Sequence, residues 1–183
     1  MRKLSREEWI AGALHALSSG GIDALRVEPL ASELGVTKGS FYHHFENRRE
    51  LNLAMLAEWE RLGTEQVIEA VDESAVEPRE RLAQLAKRAF AVDPMVDGIE
   101  IGIRAWAATD PTVAQAAERV DARRIEYVVG LLGELGFTKS VATRRARLLY
   151  RMMIGESTWR TAGGPASTPK EIRDVVDLFL SYD

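Results

Sequence analysis

Residues 25–51 read LRVEPLASELGVTKGSFYHHFENRREL, and this stretch leaves its local fold little freedom. Leu30, Ala31 and Leu34 recur at helical spacing and give a first short helix one apolar face. Gly35 comes next, where the left-handed cap that ends a helix is easiest for glycine. Thr37 is an N-cap candidate, with Val36 and Phe41 at the two ends of a hydrophobic staple. Phe41 and Phe45 lie four apart and can share an inner face. Lys38, Gly39, Ser40, Tyr42, His43 and His44 are then left mostly on the other faces. A helix of two turns cannot stand alone, so its neighbours must hold it. The spacing predicts a helix-turn-helix, a layout whose second helix enters the DNA major groove.

The next helix is predicted to start after Asn47, with Glu50 completing an Asn version of the capping box. Arg48 and Arg49 fall in its first turn, where a cation opposes the helix dipole. Two arginines beside free backbone N–H groups suit an anion docking there, and a DNA phosphate fits.

These residues carry a family resemblance. Residues 4–51 resemble the DNA-binding domain of TetR/AcrR-type helix-turn-helix transcriptional regulators. The matches are Leu30-Ala31 and Leu34-Gly35-Val36 before the turn, Lys38-Gly39-Ser40-Phe41-Tyr42-His43-His44-Phe45 across the reading helix, and Asn47-Arg48-Arg49-Glu50-Leu51 after it. They cover about a quarter of the chain. Val27-Glu28-Pro29 departs from the pattern, which more often has a Thr or Ser cap there. Proline is tolerated in a first turn, where its missing N–H leaves no helix bond unmade. The resemblance implies a homodimeric regulator with a small-molecule effector bound in a larger helical body.

Composition is compatible with that reading. The chain has 183 residues and no cysteine, which excludes disulfides and thiolate chemistry. No apolar run approaches the roughly 20 residues that span a bilayer. The start, MRKLSREEW, lacks an apolar leader core and carries a Ser5–Glu8 capping box. A cytoplasmic protein with no membrane partner is expected. Residues 1–50 hold seven Lys/Arg and seven Asp/Glu, whereas residues 51–183 hold seventeen and twenty-one. Lys38, Arg48 and Arg49 against Glu46 make the motif locally positive, and Arg2 and Lys3 could add a basic arm. Nonspecific DNA affinity should be weak and salt-sensitive, because it scales with the phosphates neutralised.

The remainder reads as helices punctuated by Pro and Gly. A first helix is predicted over 5–18, a long one over 48–71 and another over 78–92. Asp93-Pro94 and Asp110-Pro111 open two more, a further helix runs over 140–161, and Thr168-Pro169 opens the last. The expected fold is all-α with about nine helices. An N-terminal three-helix helix-turn-helix domain (1–47) would precede a C-terminal helical effector-binding and dimerisation domain (48–183). The predicted DNA-contacting residues are Lys38, Gly39, Ser40, Tyr42, His43, His44 and Arg48. Lys38 and Ser40 are placed to reach base edges, and Tyr42, His44 and Arg48 phosphate or the groove wall.

In this family the last two helices form a four-helix bundle with a second subunit. That resemblance marks Leu148, Met152, Gly155, Ile172, Val175, Val176 and Phe179 as a dimer interface. Their spacing fits equally well a stripe buried in the chain's own core. A twofold dimer would present two reading helices about 34–36 Å apart to a near-palindromic operator in double-stranded DNA. Candidate effector-lining side chains are Met55, Trp59, Phe90, Ile99, Ile103, Trp106, Tyr127 and Met152, with Asp97, Glu100, Arg104 and Arg123 available to orient a polar group. A mainly apolar effector that releases a repressor from DNA is expected.

Catalysis and cofactors find little support. His43 and His44 are adjacent and point about 100° apart on a helix, so they cannot share an ion as an i, i+4 pair would. No phosphate-binding glycine loop or nucleophile elbow occurs. No metal or cofactor is expected, nor an enzyme. Two alternatives stay open: a helix-turn-helix reused for protein contacts without DNA binding, and an all-α enzyme using the body pocket.

Overall fold

The computed structural model describes residues 4–181, so the predicted basic arm at Arg2 and Lys3 lies outside the described residues. The elements are α1 (Arg6–Gly20), a 3-10 turn (Ile22–Leu25), α2 (Val27–Glu33), α3 (Lys38–Tyr42) and α4 (Arg48–Glu60). A π-helical turn (Arg61–Glu65) and α5 (Gln66–Ser74) follow, then α6 (Pro78–Ala89), α7 (Pro94–Ala107), α8 (Pro111–Glu134), α9 (Lys139–Thr161) and α10 (Pro169–Leu180). No strand occurs among the described residues. Backbone at Arg61 and Glu65 stays helical, so the chain is helical without a break from α4 through the π turn to α5. Counted that way, the described residues hold nine helices, and the all-α expectation stands.

Helix ends follow local chemistry closely. Ser5 and Glu8 form a reciprocal capping box on α1, and Thr168 and Glu171 form one on α10. Gly35 (φ 68°) and Gly136 (φ 90°) take the left-handed conformation that ends α2 and α8. Two predicted caps differ. The Thr37 side chain makes no capping hydrogen bond to α3. Asn47 does accept from the Glu50 amide, but the Glu50 carboxylate reaches back to the Glu46 amide instead.

The chain divides into two compact units. The first comprises residues 1–61 and 94–117, and the second 62–93 and 118–183. The expected boundary at residue 47 therefore falls inside the first unit. The cause is packing that the sequence did not announce: α7 lies against α1. A Cβ at Gly98 would sit 2.6 Å from the Ser18 carbonyl oxygen, and one at Gly102 would sit 2.9 Å from the Leu17 side chain. Glycine at both positions lets the backbones approach, and Ile103 and Trp106 are buried on the same helix.

The second unit is built on Leu82, Phe90, Leu131, Leu132, Ala146, Leu149 and Phe179 from α6, α8, α9 and α10. Arg145 on α9 donates to the carbonyls of Phe179 and Ser181 at 2.6 and 2.7 Å. It thereby satisfies acceptors that the end of α10 leaves open. In the π turn Thr64 is buried and its hydroxyl accepts from Arg124 Nε at 2.9 Å.

Val176 and Phe179, expected at a dimer interface, are buried in the chain's own core, and Ile172 and Val175 pack half-buried against it. The amphipathic stripe of α10 suits a partner or the chain's own core by its spacing. It mainly fills its own unit, because α6 lies opposite it.

Gly98→Ala should destabilise the protein by roughly 1–3 kcal/mol in urea denaturation, since Ser18 backbone cannot move aside. Gly130→Ala, in a helix with open space around it, should instead stabilise by about 0.5–1 kcal/mol.

Candidate nucleic-acid interface

The reading helix α3 has five residues and one fully buried side chain, Phe41. The Phe41 ring meets Trp9 of α1 edge-on at 5.5 Å and Phe45 at 5.4 Å. Leu30, Leu25 and Leu51 are also fully buried in this unit. Arg6 lies over the Phe45 ring at 4.9 Å from its centre. A Cβ at Gly12 would meet the Leu34 side chain at 2.5 Å, so α1 and α2 are tightly apposed. The helix-turn-helix is thus clamped on its inner side and displays the outer side.

On that outer side Lys38, Gly39 and His43 are exposed, Ser40 and His44 are half-buried, and Tyr42 is 54% exposed. The Tyr42 ring stacks edge-on against Phe41 at 5.2 Å, which fixes the direction of an otherwise free aromatic. The His43 and His44 rings are 5.1 Å apart and nearly perpendicular. The structure gathers six of the seven predicted contact residues on or just beyond α3.

Two details were not legible in the sequence. Lys38 Nζ is 2.5 Å from Glu28 Oε1, ten residues upstream on α2. The hydrogen bond and charge of Lys38 hold the Glu28 carboxyl below its ordinary range, and Glu28 raises Lys38 in turn. The lysine expected to reach a base edge therefore has an acidic partner within the chain.

The second detail is Arg48. It is half-buried and donates to the Ile22 carbonyl at 3.1 Å, which ties α4 to the 3-10 turn before α2. The expected phosphate clamp is engaged within its own chain, and the exposed arginine of that turn is Arg49.

The effector-lining candidates are spread over both units. Met55, Trp59, Ile103 and Trp106 are buried in the first unit, where Ile99 is half-buried. Phe90 is buried in the core of the second, and Tyr127 is half-buried with its hydroxyl donating to Asp72 at 2.6 Å. Burial and that carboxylate push the Tyr127 phenol well up, so it stays a donor. Met152 is exposed, so it lines no enclosed site. Asp97 and Glu100, the candidates to orient a polar group, are buried. Glu100 accepts from Trp59 Nε1 at 3.1 Å and from Arg104 at 2.5 Å, which offsets the desolvation of its charge.

Of the predicted dimer residues, Leu148, Met152 and Gly155 are exposed and form a stripe on α9 that Trp159 continues. Leu178 is 68% exposed on α10.

Comparison with known proteins meets this geometry at the same residues. Residues 10–55 match the family described as bacterial regulatory proteins, tetR family. The chain is also similar to the class D tetracycline repressor protein of Escherichia coli, 40% identical over 58 residues, which are 32% of this chain and 27% of that one. The class C repressor of the same organism is 45% identical over 58 residues. The matched stretch thus spans about a quarter of these repressors' length.

Likeness of fold extends much further. A Saccharomonospora viridis protein crystallised with choline superposes with a TM-score of 0.80 at 16% identity, over 96% of this chain and 94% of that one. The transcriptional regulator FadR from Bacillus subtilis, in complex with stearoyl-CoA, gives 0.76 at 16% identity over 97% and 98%. The chain therefore shares the fold of these two proteins, with the helix-turn-helix at its N-terminal end.

Removing the acidic partner tests the pairing seen here. Glu28→Gln should strengthen DNA binding and raise the salt slope by about one unit, as Lys38 becomes free for a phosphate or base. Arg49→Ala should lower that slope, whereas Arg48→Ala should lower thermal stability first.

Proposed function

We propose that this chain is a homodimeric, ligand-responsive transcriptional repressor. It reads a near-palindromic operator through α3 and is released by a small, mainly apolar effector. The observation that carries the reading is the clamped α3. A helix too short to be stable alone is held by Trp9, Phe41 and Phe45, and it turns Lys38, Gly39, Ser40 and Tyr42 outward. Packing of that kind makes sense for a surface that must be presented rigidly. Lys38 and Ser40 are assigned to base edges, with lysine favouring guanine. Gly39 permits close backbone approach, and Tyr42, His43, His44 and Arg49 line the phosphate side. Arg48 acts behind them by holding the start of α4.

Residues 1–47 serve DNA binding in this reading, and 48–183 effector binding and dimerisation. One short reading helix covers too few base pairs for specificity, so two copies are required. The exposed stripe Leu148, Met152, Gly155 and Trp159 on α9, with Leu178 on α10, supports the dimer. Large apolar side chains left on a surface call for a partner. The ligands held by the two structural neighbours support an effector-responsive body. No helix among the described residues is long and apolar enough to cross a membrane, which fits a cytoplasmic regulator. The role is regulation rather than catalysis.

The test is fluorescence anisotropy with DNA from the region flanking the protein's own gene, across a salt series. Wild-type protein should bind tightly, with affinity falling steeply as salt rises. Tyr42→Ala and Lys38→Ala should each weaken binding by about tenfold or more, at roughly 1–3 kcal/mol per lost contact. Folded, dimeric variants that bind like wild type would sink the site assignment. Leu148→Glu combined with Met152→Glu should yield monomers in sedimentation and abolish operator binding.

A further inference from the structure

Within the first unit, a cavity of about 620 Å³ opens beside the start of α4. That volume lies in the range of about 300–1,000 Å³ usual for small-molecule sites. One wall is apolar, with Leu53 and Leu56 from α4, Trp106 from α7 and Val113 from α8. The other is polar and carries Arg48, Arg49 and Asn52 from one side of α4. Arg48 Nε and Asn52 Oδ1 are both buried and have no hydrogen-bond partner among the described residues. One is a donor and the other an acceptor. They lie four residues apart, so they are neighbours on the helix surface.

Asp110 is the cavity's acidic member. Its Oδ1 accepts from the Thr112 and Val113 amides, so its charge is engaged by the start of α8. Two arginines against one engaged aspartate leave the polar wall with an excess positive charge.

We propose that this cavity binds a small arylcarboxylate that carries a hydroxyl group. The carboxylate accepts from Arg48 Nε and from Arg49, in the charge-assisted geometry that guanidinium groups favour. The hydroxyl donates to Asn52 Oδ1, and the ring lies between Trp106 and the leucines of α4. A cation is disfavoured by the two arginines, and an uncharged ring leaves Arg48 Nε unpaired. Ile22 also lines the cavity, and Arg48 already holds its carbonyl. Occupancy therefore bears directly on the turn that precedes α2. That consequence for DNA affinity rests on the regulator reading, whereas ligand binding itself does not.

The test titrates the full-length protein with mandelate and 3-hydroxybenzoate, using benzoate, benzyl alcohol and benzylamine as references. Calorimetry and tryptophan fluorescence are the readouts. The hydroxylated acids should bind saturably and more tightly than benzoate, while benzyl alcohol and benzylamine should not saturate. The fluorescence change should vanish in Trp106→Phe. Leu53→Trp, at an exposed position on the cavity wall, should weaken binding by about tenfold or more, and Arg49→Ala should do likewise. Asn52→Ala should erase the advantage of the hydroxylated acids over benzoate. No saturable binding by either hydroxylated acid would overturn the proposal, as would undiminished binding by folded Leu53→Trp and Arg49→Ala proteins. Operator binding measured on the same preparations separates the two readings. DNA binding without acid binding overturns the cavity assignment alone. Acid binding without DNA binding supports the cavity and overturns the regulator.

Discussion

The edge-on contact between Trp9 and Phe41 is the interaction on which the rest of the N-terminal module depends. The five residues of α3 cannot make a helix stable by their own hydrogen bonds, because nucleation costs more than so few bonds return. Phe41 supplies the missing stabilisation by complete burial against Trp9 and Phe45. Aromatic pairs of this geometry add about 0.5–1.5 kcal/mol beyond the area they bury. The direction of Tyr42, which rests on Phe41, and the display of Lys38 and Ser40 are consequences of that contact. The surface proposed to face DNA is set from behind.

A second constraint is the approach of α7 to α1. Gly98 and Gly102 remove the side chains that would keep the helices apart, so Leu17 and Ser18 meet the α7 backbone directly. One compact unit then contains the helix-turn-helix, α4 and α7 with the start of α8. A functional division at residue 47 and a structural division near residue 61 are different things. The first follows the motif, and the second follows where side chains pack.

Arg48 shows how the two kinds of constraint compete for one residue. Its place in the first turn of α4 made it a natural phosphate ligand. In the fold its guanidinium reaches back to Ile22, twenty-six residues earlier in the chain, and Arg49 keeps the exposed position. Lys38 and Glu28 show the same competition in the open. Two exposed charges pair across the turn, so a DNA contact by Lys38 has to displace an existing partner. Surface pairs of this kind are weak, which keeps the exchange easy.

Much of this protein was legible in its residues. Caps such as Ser5–Glu8 and Thr168–Glu171, the glycine stops at Gly35 and Gly136, and the prolines after Asp93 and Asp110 mark helix ends because they act within one turn of chain. The α3 surface was legible for the same reason: once Phe41 and Phe45 are inward, helical geometry leaves Lys38, Ser40 and Tyr42 elsewhere. The π turn at Arg61–Glu65 was not, since Thr64 meets Arg124 sixty residues away. Nor was the fate of α10, whose apolar stripe suits a partner or its own core equally well. Periodicity says that a face is buried and is silent on what buries it. The sequence by itself determined the helices, their ends and the residues a reading helix can show. Tertiary structure alone decided which arginine is free, which stripe remains outside and which small residues let two helices meet, because those outcomes depend on side chains distant in the chain sharing one volume.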